Sequence, residues 1–159
     1  MNLLNKEPVK RVESVLKKFN KNQKILSLES SARTALEAAS SLSCEVGAIV
    51  KSLLFRTKDK FILCLIAGDK KASFNKLKKL LEIKDLSMAS ADDVKKITGF
   101  TIGGVSPVGH LKKIDIFIDS SLNRFENLYA AAGHPNCIFN INFIDLQKIT
   151  NGFVKDIIE

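Results

Sequence analysis

A chain of 159 residues, 45% hydrophobic and 26% charged, is long enough to bury one core and has the composition of a globular protein. Its apolar runs are far shorter than the roughly 20 residues of a membrane-spanning helix, and its N-terminal residues lack the apolar stretch of a secretory signal. The net charge of +8 favours a polyanionic partner such as RNA or DNA, although a lysine-rich surface maintained for solubility explains the charge equally well.

The first two predicted elements are helices. Residues 8–19 carry valine and leucine at helical spacing on one face and lysine and arginine on the other, so we treat residues 1–24 as a basic N-terminal helical segment. A second helix with an alanine-rich inner face is expected to run to Leu42 from an N-cap at Ser30 or Ser31.

A β-hairpin is predicted next, because two β-type runs, residues 48–56 and 61–67, are joined by a short polar turn. A helix follows, with Phe74 and Leu81 at the two ends of an apolar stripe and lysines on the opposite face. A short apolar segment at residues 86–89 then precedes the second half of the chain.

The second half begins with a helix that starts at Ser90, has Asp93 in the capping-box position and ends at Gly99. The later elements are a strand at residues 114–119, a small-residue segment at 130–135, a strand at 137–141, a helix at 143–149 and a strand at 153–157. Because strands and helices mix without a regular β-α-β alternation, we expect an α+β fold. It would be a single domain over residues 1–159, a mixed β-sheet packed with helices.

Residues 101–110, TIGGVSPVGH, hold three of the eight glycines and one of the three prolines. The G-x-G-x-x-G spacing of a dinucleotide site is absent, and no Gly-Lys-Ser/Thr follows as in a P-loop. A tight turn between two elements is the ordinary explanation for such a cluster. Glycines also let a backbone approach a ligand closely, so that N–H groups can point at an acyl carbonyl or a phosphate.

Lys51 is unusual because of the face on which it is predicted to lie. If residues 48–56 form a strand, side-chain alternation puts Lys51 on the same face as Leu53 and Phe55. An ammonium on an apolar face is costly unless an anion meets it. The alternative is a lysine at a sheet edge that extends its amine to water.

The cysteines and histidines offer no catalytic or metal-binding order. Cys44, Cys64 and Cys137 are odd in number and far apart, which argues against a disulfide framework and for a reducing, cytoplasmic setting. With His110 and His134 as the two histidines, no metal-ligand spacing appears, so we predict neither a metal nor another cofactor. Cys137 lies in an apolar run and is expected to be a buried, inert thiol.

Four segments together resemble a known family, that of YbaK and the prolyl-tRNA synthetase-associated editing domain. They are IVKSLLF at residues 49–55, TGFTIGGVSPVG at 98–109, IDSSL at 118–122 and YAAAGHPN at 129–136. The family's G-x-x-x-P-x-G loop is matched by Gly103, Pro107 and Gly109, and its motif lysine is matched by Lys51. The resemblance extends from about residue 31 to the final strand.

The resemblance implies an aminoacyl-tRNA deacylase that hydrolyses the ester between a wrong amino acid and the terminal adenosine of a tRNA, often tRNA for proline. Freestanding members act in trans beside a synthetase. The implied partners are therefore the acceptor stem and CCA end of a mischarged tRNA, together with prolyl-tRNA synthetase. We further expect a monomer with no membrane association.

Roles can be carried over by residue. Lys51 would hold the 3′-terminal nucleotide, the backbone of residues 103–109 would orient the ester and stabilise its oxyanion, and Gly133 and His134 would belong to a second loop lining the amino-acid pocket. The candidate catalytic residues are Lys51, Gly103 and Gly104. The candidate substrate-binding residues are Ser52, Val105, Ser106, Pro107, Gly109, Gly133 and His134.

Other readings of the sequence stay open. A non-catalytic module that binds the 3′ end of tRNA is favoured by the lack of an obvious general base. An esterase or amidase for small metabolites would make the lysines irrelevant, and a protein that merely docks on a synthetase would leave Lys51 unexplained. Within the deacylase reading, alanine, cysteine, serine, threonine and 2-aminobutyrate are all candidate amino acids.

Overall fold

One mixed β-sheet organises the chain in the computed structural model, which describes residues 2–29 and 34–159. The helices are α1 (Glu7–Phe19), α2 (Ala35–Leu42), α3 (Phe74–Leu81), α4 (Ala91–Thr98) and α5 (Phe143–Thr150). The strands are β1 (Ile25–Ser27), β2 (Ile49–Thr57), β3 (Phe61–Ala67), β4 (Leu86–Met88), β5 (Asp115–Asp119), β6 (Leu128–His134), β7 (Cys137–Ile141) and β8 (Phe153–Lys155). None of these helices has the length and apolar character needed to cross a bilayer.

The strand order is β1-β7-β6-β2-β3-β5-β8, and β4 pairs with the C-terminal end of β2. β2 and β3 form the predicted antiparallel hairpin, with Lys51 opposite Ile66. Pairing is parallel between β2 and β6, between β3 and β5, and between β5 and β8, so the expected mixed sheet is confirmed. Lys51 therefore lies on an interior strand and not on either of the two outer strands of the sheet.

Capping residues set the ends of the helices largely where the sequence predicts them. Ser90 caps α4 through a side-chain hydrogen bond, and Gly99 ends it in the left-handed conformation with φ of +81°. The described part of the second helix begins after Thr34, whose hydroxyl accepts a hydrogen bond from the first turn. The predicted caps Ser30 and Ser31 lie outside the described residues.

The basic N-terminal segment is an integral part of the core. α1 buries Val9, Val12 and Leu16, each at most 1% exposed, while its lysines face outward. This apolar stripe packs against β6, whose Ala130 and Ala132 are likewise almost fully buried. Small side chains on β6 let the helix approach the sheet closely.

That packing explains one correction to the predicted elements. Residues 130–135 were expected to be a small-residue segment leading into the next strand, but most of them belong to a strand of their own, β6. Alanine has a low strand propensity, and pairing with β7 under α1 overrides it. The sequence pattern also misses β1, whose three residues form a strand because they pair with β7. It predicts the last strand over residues 153–157, whereas the observed strand ends at Lys155.

A buried carboxylate, Asp119, joins the end of β5 to two other parts of the chain. It is fully buried, and its Oδ1 accepts a hydrogen bond of 2.9 Å from the backbone N–H of Ile157. Its Oδ2 accepts from both the backbone N–H, at 2.9 Å, and the hydroxyl of Ser121. Removing this carboxylate would leave buried donors without an acceptor.

We therefore expect Asp119→Ala to lower the free energy of unfolding by about 2–4 kcal/mol, because unsatisfied buried donors cost more than lost surface contacts. The matched control is Asp115→Ala on the same strand, where the carboxylate is half exposed and pairs with Lys60 at 2.9 Å. An exposed ion pair of this kind contributes less than about 1 kcal/mol. Urea unfolding of the two variants measures the difference, and equal losses would contradict this account of Asp119.

Candidate functional site

The candidate site lies where the sheet splits on one side of β2. β2 pairs with β6 only through Ile49 and Val50, and it pairs with β4 from Phe55 onward. Residues 51–53 therefore have no described strand beside them on that side, although β3 continues to pair with them on the other. A gap in an otherwise continuous sheet leaves room for a ligand next to the backbone and side chains of β2.

A pocket of about 300 Å³ opens at this gap. Residues 49–53 of β2 form its floor, and Ala35 and Ala38 of α2 form one wall. The other walls come from the glycine loop after α4 and from Ala131 and Ile138 on β6 and β7. The volume suits a small group rather than a whole nucleotide.

Lys51 supplies a positive charge to this pocket. Its Nζ donates a hydrogen bond of 2.5 Å to the backbone carbonyl of Lys70, in the turn after β3. Burial lowers the pKa of the Lys51 ammonium from its ordinary value, a shift that the nearby Asp69 carboxylate opposes. That carboxylate is itself held by Arg124, through bonds of 2.8 and 3.1 Å. Lys51 is thus half-buried with one hydrogen-bond partner, and an anionic ligand would compensate the charge.

Ser52 is the second polar feature of the pocket lining. Its hydroxyl oxygen is buried and makes no hydrogen bond to any residue that the structure describes. Buried hydroxyls usually have a partner, because an unsatisfied one costs free energy. The orphan hydroxyl is the one buried side-chain polar atom without a partner among the described residues, and its role in the site stays a prediction.

The glycine loop contributes Ile102, Gly103 and Val105 to the pocket. Gly103 has a φ of +95°, a conformation that favours glycine, and the N–H of Gly104 closes a turn on the Thr101 carbonyl at 2.9 Å. The N–H groups of Gly103 and Val105 donate no hydrogen bond within the described parts of the chain. Both residues line the pocket, so their unpaired N–H groups are candidate donors to a ligand bound there.

The second half of the glycine loop turns away from this pocket. Ser106 is fully buried, and its hydroxyl accepts a hydrogen bond of 3.2 Å from the Val108 N–H. Pro107 and Gly109 line a different cleft, together with Val15 of α1. Residues 106–109 do not line the pocket at the gap, and their predicted contact with the substrate stays a prediction.

Three further candidates, Gly104, Gly133 and His134, are not among the residues that line the pocket. A Cβ built on Gly104 would lie 3.0–3.1 Å from backbone atoms of His134, so Gly104 faces β6 and not the pocket. Gly133 packs against α1, where a Cβ would lie 2.8 Å from the Pro8 carbonyl oxygen. The Nδ1 of His134 accepts a hydrogen bond of 3.0 Å from the Asn136 N–H in the turn between β6 and β7. These contacts hold the three residues in the fold, and their predicted roles at the site stay predictions.

Sequence reasoning misses the residues that form the apolar walls. Ala35, Ala38, Ala131 and Ile138 line the pocket, yet each resembles an ordinary core residue in the sequence. An apolar side chain at a wall carries no chemical signal, and only the gap in strand pairing distinguishes it from the rest of the core.

The chemistry available in the pocket is limited and specific. Its described lining holds one ammonium, the hydroxyls of Thr34 and Ser52, and backbone groups, with no carboxylate, imidazole or thiol. Cys64 pairs with the lining residue Leu53 but does not itself line the pocket, and burial raises the pKa of its thiol to about 12. Such a site can bind an anion next to a small apolar group and stabilise negative charge on an oxygen, but it offers no side-chain general base.

A half-buried lysine, a small apolar pocket and a glycine loop with unpaired N–H groups together form a site that suits an anionic ligand carrying a small apolar group. Residues 29–149 match the sequence profile of the aminoacyl-tRNA editing domain. The chain belongs to the aminoacyl-tRNA editing domain family.

Individual relatives agree with this membership. The chain is 35% identical over 127 residues to a proline–tRNA ligase of Caldicellulosiruptor bescii, which covers 74% of the chain but 22% of the ligase. It is 30% identical over 143 residues to the uncharacterized protein YwhH of Bacillus subtilis, with 89% of the chain and 90% of that protein covered. A crystal structure provisionally described as a trans-editing enzyme for prolyl tRNA synthetase superposes with a TM-score of 0.91 and 34% identity, covering 97% of this chain and 98% of that one.

Proposed function

We propose that this protein is a trans-editing aminoacyl-tRNA deacylase, which hydrolyses the ester of a mischarged tRNA for proline. The observation that carries the proposal is the juxtaposition of Lys51 and the Gly103 loop across a small apolar pocket. Full-length similarity to the provisional trans-editing enzyme, and partial similarity to proline–tRNA ligases, support the choice of tRNA. The cytoplasmic setting and monomeric state stay predictions.

The proposed mechanism needs no side-chain base. Lys51 binds a phosphate or ribose oxygen of the terminal adenosine, which places the ester carbonyl at the mouth of the apolar pocket. The N–H groups of Gly103 and Val105 stabilise the oxyanion as water attacks the ester carbon. The bond to the ribose oxygen then breaks, that oxygen takes up the proton that the water gives up, and the free amino acid leaves. Where a nucleophile on the substrate attacks instead, its proton passes to the same ribose oxygen. One such backbone donor contributes about 3–4 kcal/mol to transition-state stabilisation.

Selectivity in this scheme depends on the size of the pocket. Alanine walls on α2 and β6, with Ile138 beyond them, leave room for a small side chain. A single methylene discriminates by about 1–3 kcal/mol, so neighbouring small amino acids are separated modestly. We propose a substrate among alanine, cysteine, serine, threonine and 2-aminobutyrate.

A panel of tRNA for proline charged with each of these five amino acids tests the proposal, with correctly charged prolyl-tRNA as the control. Hydrolysis of one or two small amino acids, with proline spared, is the expected result. The alternative function is a non-catalytic module that binds the 3′ end, and the absence of a carboxylate or imidazole from the described pocket lining favours it. Binding of tRNA without turnover across the whole panel would support that alternative.

The lysines of α3 are well placed to bind the acceptor stem. Leu77 of α3 packs in the same cluster as Phe55, so α3 covers the face of the sheet on which Phe55 lies. Side-chain alternation along β2 assigns Lys51 to this same face. Lys78 and Lys79 in its last turn form no ion pair with any described residue. Cations on this face can contact phosphates of an RNA whose 3′ end reaches the pocket.

We expect the double variant Lys78→Ala/Lys79→Ala to weaken tRNA binding about tenfold and to lower the slope of log affinity against log salt by about 1–2. The matched control is Lys95→Ala/Lys96→Ala, which removes two lysines from the last turn of α4. α4 packs its apolar residues in the cluster on the other face of the sheet. The affinity of this control variant for tRNA should therefore change less than about twofold. Titrations of tRNA at several salt concentrations measure the affinity and its salt dependence for both double variants. Equal losses of affinity in the two variants would show that the RNA does not bind preferentially along α3.

A further inference from the structure

α1 lies behind the glycine-rich segments that line or support the pocket. Gly99, Gly109 and Gly133 all have positive φ, and in each case the nearest atom to an added Cβ belongs to α1. The small size of these glycines therefore accommodates the helix, in addition to permitting their backbone conformation. Two of the three flank the segment that contains the Gly103 loop.

Arg11 makes the polar connection between α1 and that segment. Its Nε donates a hydrogen bond of 2.6 Å to the Gly109 carbonyl, and its Nη2 donates one of 3.1 Å to the Thr98 carbonyl. Its guanidinium lies over the Phe100 ring at 4.8 Å, and Nη1 is held by both carboxylate oxygens of Glu7. The Arg11 side chain is 20% exposed, so these bonds are largely shielded from water.

The two carbonyls that Arg11 binds stand at opposite ends of the loop. The neck of the loop is closed by hydrogen bonds from the Leu111 N–H to the Thr98 carbonyl and from the Lys112 N–H to the Ile97 carbonyl, of 3.2 and 3.1 Å. Arg11 binds at this neck and again at Gly109, with the planar, fixed fork of a guanidinium. The first half of the loop, which reaches the pocket, is thereby anchored from the side away from the pocket.

We propose that Arg11 is a positioning residue for the deacylation reaction: from outside the pocket it fixes the place of the backbone donors at Gly103 and Val105. This inference rests on the proposed function. Arg11 itself does not line the pocket, so it acts through the loop and not on the substrate. A displacement of catalytic donors by about 1 Å can lower a rate about 100-fold, which sets the size of the expected effect.

The test compares Arg11→Met, which keeps a long side chain without donors, with Arg11→Lys, which keeps the charge but loses the fork. Lys10→Met, an exposed neighbour on α1, and Glu7→Gln, which weakens the ion pair but leaves both carbonyl bonds, are the matched controls. Three quantities are measured in the full chain: the single-turnover deacylation rate, the Kd for tRNA, and amide exchange at Gly104, Leu111 and Lys112.

We expect Arg11→Met to lower the single-turnover rate about 10- to 100-fold, with the Kd for tRNA changed less than twofold and faster exchange at the three loop amides. The single-turnover rate of Arg11→Lys should fall between those of Arg11→Met and wild type. The two control variants should match wild type in rate and in amide exchange. Faster exchange with an unchanged rate would overturn the proposal, since Arg11 would then be merely structural. Amide exchange in Arg11→Met that is unchanged from wild type would also overturn the proposal, because Arg11 would then not anchor the loop. An inactive wild-type protein would instead overturn the proposed function, and loop exchange would still report whether Arg11 anchors the loop. If Arg11→Met does not fold, Arg11→Lys carries the same test.

Discussion

Lys51→Met is expected to reduce deacylation by at least about 100-fold while leaving the protein folded, because it removes the cation that we propose anchors the terminal nucleotide beside the ester. Methionine keeps the length of the apolar stem, so the floor of the pocket stays filled. Single-turnover deacylation of the best substrate from the charged-tRNA panel measures the effect. Lys71→Met is the matched control, since Lys71 is an exposed cation close enough to act on the charge of Lys51.

The stability of Lys51→Met provides a second, independent test of the role of Lys51. Burial lowers the pKa of the Lys51 ammonium in the folded state, so between that pKa and the ordinary value of 10.5 the unfolded chain binds more protons than the folded one. The charged lysine therefore costs stability at neutral pH, and the cost disappears as pH rises towards 10.5. Lys51→Met should be at least as stable as wild type at pH 7, with the difference narrowing at higher pH in urea unfolding.

Activity and stability together decide whether the lysine serves a ligand. Near-wild-type turnover in Lys51→Met would show that the assignment is wrong, whatever the stability. A large loss of stability at pH 7 would show instead that the hydrogen bond to Lys70 outweighs the cost of burial, making Lys51 structural. The expected combination, lost activity with retained stability, is the pattern of a residue placed for function at the expense of the fold.

Much of the fold follows from local rules in the sequence. The β2–β3 hairpin, the Ser90 cap and the Gly99 stop are where periodicity and capping put them, because each depends on residues close together in the chain. Lys51 was singled out because alternation alone assigns a strand residue to a face. The strands that pair with β2 could not be predicted in the same way. The pocket exists because pairing with β6 ends at Val50 and pairing with β4 begins only at Phe55.

The glycines show why the rest of the site could not be predicted. A glycine in sequence signals a need for backbone freedom or close approach, but it does not say what approaches. Gly103 lines the pocket, and its role in catalysis stays a prediction, whereas Gly109 and Gly133 accommodate α1, a helix that lies far earlier in the chain. The same residue type, in one apparent motif, thus serves the pocket in one place and helix packing in another.

Gly133→Ala separates these two roles, and we expect it to lower the free energy of unfolding by about 2–5 kcal/mol. Gly133 has a φ of +93°, which strains any residue with a Cβ, and that Cβ would lie 2.8 Å from the Pro8 carbonyl oxygen. Backbone cannot move aside as a side chain can, so α1 would have to shift from β6. Urea unfolding monitored by circular dichroism measures the loss.

Gly47→Ala is the control for adding a methyl group at a crowded glycine. Its Cβ would meet the ring of Phe125 and the guanidinium of Arg124, which are the ends of side chains that can move, and its φ is not positive. We expect a loss below about 1 kcal/mol. If Gly133→Ala were as stable as Gly47→Ala but cleared a different set of amino acids from tRNA, then Gly133 would line the amino-acid pocket after all, as the family resemblance implies. If it is unstable and its folded fraction keeps the wild-type selectivity, the glycine is there for α1.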